Sequence, residues 1–319
     1  MKKILFACKA FFELIYSFVV YKHYCRKYKH TDYFEYKKLA NPKFIEPRGF
    51  NSVCHYGTYK AVEKLTGRRF NFITDYLEHG SNFRAEPELM KNLGYYNRPS
   101  IRRIYAMSEF SVSVYNECIK RENLKSKAIS VGPYIKGADF FYSKTKLDEI
   151  KHKYGRILLV FPHHSTDVIQ AEYNMDDFIT AINHYKKEYR FDSVFVCLYW
   201  ADILRGKDEK YLQNGFVVVT SGHRSDPRFL SRQKDLIYLS SHTMSNFAGG
   251  YVGYSICMGK PHFLYKQQTE CLIDGVEQEK SPSWEKAKLK FYEVFGTFSS
   301  EITPEQYELT EKYWGKWED

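Results

Sequence analysis

From residue 51 onward, short apolar runs alternate with longer stretches in which apolar residues recur every three or four positions. The short runs at 70–74, 101–106, 128–131, 156–161, 193–199, 216–220, 235–239 and 262–265 predict strands. The periodic stretches at 59–66, 112–122, 144–154, 175–189, 207–214 and 251–258 predict helices, followed by an aromatic helical tail at 283–295 and 303–313. Strand and helix in turn imply parallel sheets covered on both faces, an α/β fold. The expected architecture is two doubly wound, Rossmann-like domains facing a cleft, at 49–148 and 149–319. Residues 1–48 form an N-terminal apolar helix and connector.

That N-terminal segment changes the picture of charge. It holds eleven Lys/Arg against four Asp/Glu, so most of the formal net charge of +10 sits there and the body of the chain is nearly balanced. A groove for nucleic acid is therefore not expected. Residues 4–21 are apolar except for Lys9, Glu13 and Ser17, and Lys22, Arg26, Lys27 and Lys29 follow. The spacing of Lys9 and Glu13 on one helical face suits an amphipathic helix at an anionic membrane surface, with packing on the fold or a true span as alternatives. The expected location is the inner face of a bacterial cytoplasmic membrane. Seven scattered Cys, with no CxxC, fit a reducing compartment and no zinc site.

Candidate chemistry collects where predicted strands end. The run 156–161 meets Pro162-His163-His164-Ser165, in which His164 and Ser165 can bond a phosphate. The run 216–220 meets Ser221-Gly222-His223-Arg224, where Gly222 permits close approach and His223 and Arg224 supply donors. Asp226-Pro227 beside them reads equally as a helix cap. After 235–239 come Thr243, Ser245, Asn246, Gly249 and Gly250 ahead of an apolar helix, a cradle of hydroxyls and amides that needs no Lys. Neither a P-loop nor GxGxxG is present, and Asp176-Asp177 reads as a helix cap, so no catalytic metal and no cofactor are expected. In the first domain Asp75, Glu78 and His79 follow a predicted strand, and spacing does not choose which of them is the general base. His55-Tyr56-Gly57 is a weaker candidate of the same kind.

The second domain, above all SSHTMSNFAGGYVGYSICMGKPHFL from Ser240 to Leu264, resembles the nucleotide-binding domain of GT-B-fold bacterial glycosyltransferases of capsule and O-antigen synthesis. The Gly222-His223 cluster with the later Ser/Thr loop is similar to the paired motifs of transferases that use CMP-activated acidic sugars, although Arg224 stands where several of those have Pro. The resemblance implies a nucleotide-sugar donor in the second domain, a glycan or lipid-linked acceptor in the first, and transfer without a metal. It places leaving-group stabilisation on His223, Arg224 and the amides of 245–250, and the base among Asp75, Glu78 and His79. A sugar-nucleotide epimerase of the same fold and a non-catalytic membrane-associated binding protein are the alternatives.

Overall fold

A computed structural model describes residues 26–40, 55–72, 74–80, 83, 101–278 and 281–316, with 15, 19 and 23 described singly. The expected N-terminal helix lies largely outside them. Residues 15, 19, 23, 26 and 27 are helical, with Ile15 and Val19 exposed. No helix among the described residues is long and apolar enough to cross a membrane.

The first sheet is parallel, in the order β1-β2-β3, formed by Asp75–Leu77, Arg103–Ala106 and Lys127–Ser130. Helix α1, Thr58–Thr66, precedes it, and α2, Glu109–Arg121, joins β2 to β3. The Ser108 hydroxyl caps α2 by accepting from Ser111 N. The first strand was expected at 70–74. Among the described residues of that run, Thr74 N donates to Asn71 O, as does Asp75 N, so Asp75 opens the strand and does not follow it.

Helix α3, Lys144–Tyr154, leads into the second sheet. That sheet comprises β4 (Ile157–Phe161), β6 (Ser193–Cys197), β7 (Val217–Val219), β8 (His242–Ser245) and β9 (His262–Leu264), all parallel, in the order β7-β6-β4-β8-β9. The five residues of β4 are all buried, as a central strand covered on both faces requires. Chain order reverses between β4 and β8, and such a switch point opens a crevice at the carboxyl ends of the strands. Connecting helices are α4 (Met175–Glu188), α5 (Trp200–Leu204), α6 (Lys207–Gln213), α7 (Phe229–Leu239) and α8 (Gly250–Cys257). The tail supplies α9, Pro282–Phe295, and α10, Pro304–Trp314.

Two expectations fail here. The run 235–239 is the last part of α7, not a strand, because Leu236, Ile237 and Leu239 continue the buried face that Leu230 begins. The polar stretch expected to be a loop after it is instead β8. A third sheet also appears, antiparallel, in the order β11-β10-β5, with β5 at Gln170–Tyr173, β10 at Thr269–Ile273 and β11 at Val276–Glu277. Its hairpin turns on Asp274-Gly275, both at positive φ (50° and 78°) between the paired Ile273 and Val276. That is the Asp-Gly signature of a two-residue hairpin, legible in the sequence and passed over.

The tail ties the first sheet's layer to the second. Helix α10 packs on both α8 and α2. Gly253 of α8 lies so close to Trp314 that a Cβ there would come within 2.1 Å of the indole.

Candidate active site

A cavity of about 310 Å³ opens between the two parallel sheets. Five parallel strands point their carboxyl ends at it: β1 through Glu78, His79 and Gly80, β4 through Phe161, Pro162 and His164, β6 through Tyr199, β7 through Ser221, and β8 through the 247–250 stretch. Aromatic rings make up much of the remaining wall.

The switch point is closed by a side chain. Asn246, just past β8, accepts from His163 N with Oδ1 at 2.7 Å and donates to Gln267 Oε1 at 2.6 Å. The His163 ring stacks on Phe247 at 3.9 Å. Asn246 thus fixes the two loops across the crevice and does not face it. Gly249 and Gly250 do face it, at the amino end of α8, where no side chain caps the helix. Unsatisfied amides and the positive end of the helix dipole suit an anion there.

Several residues expected to bind phosphate are committed elsewhere. Thr243 and Ser245 are fully buried in β8, and their hydroxyls hold the two nitrogens of His262 at 2.8 and 3.0 Å. Ser165 is equally buried, with its amide and hydroxyl on the Asp202 carboxylate at 2.9 and 2.8 Å; Asp202 in turn pairs with Lys207 at 3.1 Å. The physical reason is common to all three: a buried hydroxyl must find a partner, and here the partner is protein. His164 does reach the wall, edge-on to Tyr199 at 4.9 Å, and burial lowers its pKa.

Gly222, His223 and Arg224 flank the wall; their neighbour Ser221 is on it. His223 is 2% exposed and packs on Trp200 at 4.7 Å. Burial, reinforced by Arg224, lowers its pKa to about 3, so the ring is neutral. Its Nδ1 accepts from Ser225 N at 3.1 Å, which leaves the proton on Nε2. Arg224 pairs with Asp167 at 3.1 Å, and its carbonyl accepts from Tyr56 N at 2.5 Å.

The three acid–base candidates of the first domain separate clearly. Asp75 is buried at the start of β1 and bound through both oxygens by Arg103, at 2.8 and 3.0 Å, so it takes no place on the cavity wall. His79 is on the wall, stacked on Tyr56 at 5.6 Å, and is exposed to solvent; desolvation by the chain around it, with Arg224 nearby, lowers its pKa. Glu78 is 3% exposed and lines the cavity. Its Oε2 accepts from Met107 N at 2.9 Å, while Oε1 has no hydrogen-bond partner among the described residues. Burial raises its pKa to about 7, with Ser111 and the Met107 amide pulling the other way. A carboxyl poised near neutrality suits proton transfer.

Tyr56, from the weaker candidate, is a wall residue in left-handed conformation (φ 62°). Gly57 follows at φ 73°, so close to Pro227 that a Cβ would lie 2.2 Å from its carbonyl oxygen. Gly57→Ala is expected to displace the 55–58 turn and cost more than about 1 kcal/mol. Denaturant unfolding checks this, and a variant as stable as wild type would show that the turn yields freely. Tyr134, Tyr199 and Gln233 are wall residues that sequence reasoning missed. Tyr199 alone carried a signal, as the last residue of a predicted strand. Among the described residues no group of three or more His, Cys, Asp or Glu converges to hold a metal ion.

No protein-family model matches the sequence, and no curated protein does. Solved structures show a distant likeness. The S. aureus MnaA–UDP co-structure is 12% identical, with a TM-score of 0.39, over 74% of this chain and 58% of that one. Anabaena HepE in complex with UDP and glucose is 16% identical, with a TM-score of 0.32, over 65% and 55%; its complex with UDP-glucose gives 15%, 0.32, 65% and 56%. The matches span little more than half the length of those structures.

Proposed function

We propose that the protein is a glycosyltransferase that moves a sugar from a nucleotide-sugar donor to an acceptor hydroxyl on a glycan or lipid-linked carrier. The observation that carries this reading is one cavity whose wall holds two complementary groups. The amino terminus of α8 at Gly249-Gly250, which no side chain caps, suits a phosphate, and the Glu78 carboxyl on the same wall suits an acceptor proton. In the reaction, Glu78 removes the proton from the acceptor hydroxyl as its oxygen attacks the anomeric carbon. The bond from that carbon to the phosphate oxygen breaks, and the electron pair leaves with the nucleotide. Charge developing on the phosphate meets the α8 amides, with Arg224 and the neutral Nε2–H of His223 behind the wall. Of the described wall residues Glu78 is the only carboxylate.

A thermal-shift screen against UDP, CMP, GDP and their sugar conjugates, with magnesium or with EDTA, tests the reading. One nucleotide series is expected to raise the melting temperature equally in both conditions, since a ligand bound only to the native state stabilises it. No shift from any of them would sink the proposal, and a shift seen only with magnesium would remove its metal-independent mechanism. Attachment of the N-terminal segment to an anionic membrane is part of the same proposal, supported by the basic charge of residues 1–48.

A further inference from the structure

Arg232 on α7 is fully buried, and its guanidinium is divided between two distant stretches of chain. Nη1 donates to Asp226 Oδ2 at 2.7 Å and to Ser221 O at 3.3 Å, both in the loop after β7. Nε and Nη2 donate to Thr31 O at 3.1 Å and Tyr28 O at 3.2 Å. The backbone joins the same two stretches again, since Thr220 N donates to Tyr33 O at 3.1 Å. Tyr142 Oη then donates to Asp32 Oδ2 at 2.7 Å, while the amides of Phe141 and Tyr142 donate to Asp235 of α7 at 2.9 and 3.0 Å.

Residues 28–34 belong to none of the three sheets. They form a strap across the outside of the 220–226 loop, whose inner side presents Ser221 to the cavity and whose Arg224 carbonyl holds Tyr56. A planar fork of donors can serve four acceptors on separate segments in fixed directions; an ammonium group cannot.

We propose that this strap is a working part of the nucleotide site, with Arg232 as the positioning residue that couples strap docking to the 220–226 loop. The inference rests on the reading of the cavity as a nucleotide site. Because strap and loop share one buried cation, order in one favours order in the other. The coupling is reciprocal: nucleotide binding tightens the strap, and strap release weakens nucleotide binding by the same factor.

Hydrogen exchange on the full chain, wild type and Arg232→Lys, with and without UDP, CMP or GDP, tests this. In ligand-free protein the variant is expected to exchange about tenfold faster at 28–34 and 220–226 while β4 and β6 keep their protection. Unchanged protection at both segments overturns the proposal. With nucleotide, the wild-type strap is expected to slow by about tenfold, and the variant to raise KM for the donor by about tenfold with kcat within roughly threefold. A nucleotide that binds wild type without slowing the strap also overturns it. Failure of all three nucleotides to bind wild type overturns the reading of the cavity instead, an outcome distinct from a loss confined to the variant. If Arg232→Lys does not fold, the wild-type comparison with and without nucleotide decides alone.

Discussion

Glu78→Gln is expected to lower kcat by about 10²- to 10⁴-fold and to leave nucleotide affinity unchanged, because the amide keeps the shape and loses the base. The pH dependence follows from the raised pKa. The base must be ionised, so wild-type kcat/KM should rise about tenfold per unit up to pH about 7 and then level. The residual activity of the variant should lack that limb. Stability moves the other way. A carboxyl whose pKa is higher folded than unfolded favours the folded state below its ordinary value of 4.5 and loses that contribution as pH rises through about 7. At pH 8 the buried charge therefore costs roughly 3 kcal/mol, and the variant should be at least as stable as wild type. Initial rates and melting curves between pH 5 and 9 separate the two effects. A variant with wild-type kcat and an intact limb would take Glu78 out of the chemistry.

Trp314→Ala should be the most destabilising of the substitutions considered, by about 3–5 kcal/mol. The indole is wholly buried, seated on Gly253 and ringed by Phe83 and Phe291 at 5.7 and 5.9 Å. Its Nε1 has no hydrogen-bond partner among the described residues, so the loss is one of packing and cavity formation. The melting temperature should fall by roughly 10 °C. Phe83 also lines the cavity, so donor KM should rise alongside. A drop of less than about 1 kcal/mol would mean that the tail contributes little to holding the layers together.

Local pattern revealed much of this fold because its signals are local. Helices α3 and α4 begin where Ser143 and Asn174 accept from the amides three residues on, and β4 is a run of five apolar residues. The same reasoning misread α7, since Leu236 to Leu239 is too short a run to distinguish a buried strand from a buried helix. It misread β8 because the groups that allow Thr243 and Ser245 to be buried belong to His262, on the next strand. The choice between Asp75 and Glu78 was beyond the sequence for a similar reason. What pairs with Asp75 is Arg103, 28 positions downstream, and what holds Glu78 is the amide of Met107, 29 positions downstream, with no cation among the described residues. That both strand-end clusters face one crevice was legible; which side chains in them are already spoken for was not.

The seating of α10 has a bearing on biosynthesis. A Cβ on Gly315 would lie 2.2 Å from Met107 O, so the residue just after the helix rests on the same residue whose amide holds Glu78. Every described wall residue of the cavity precedes α10, the last of them being Trp284. A nascent chain halted at the ribosome before residue 304 would therefore carry those groups without the helix that packs on both α2 and α8. Docking of that helix closes contacts between elements far apart in sequence, a kind of step that topology makes slow.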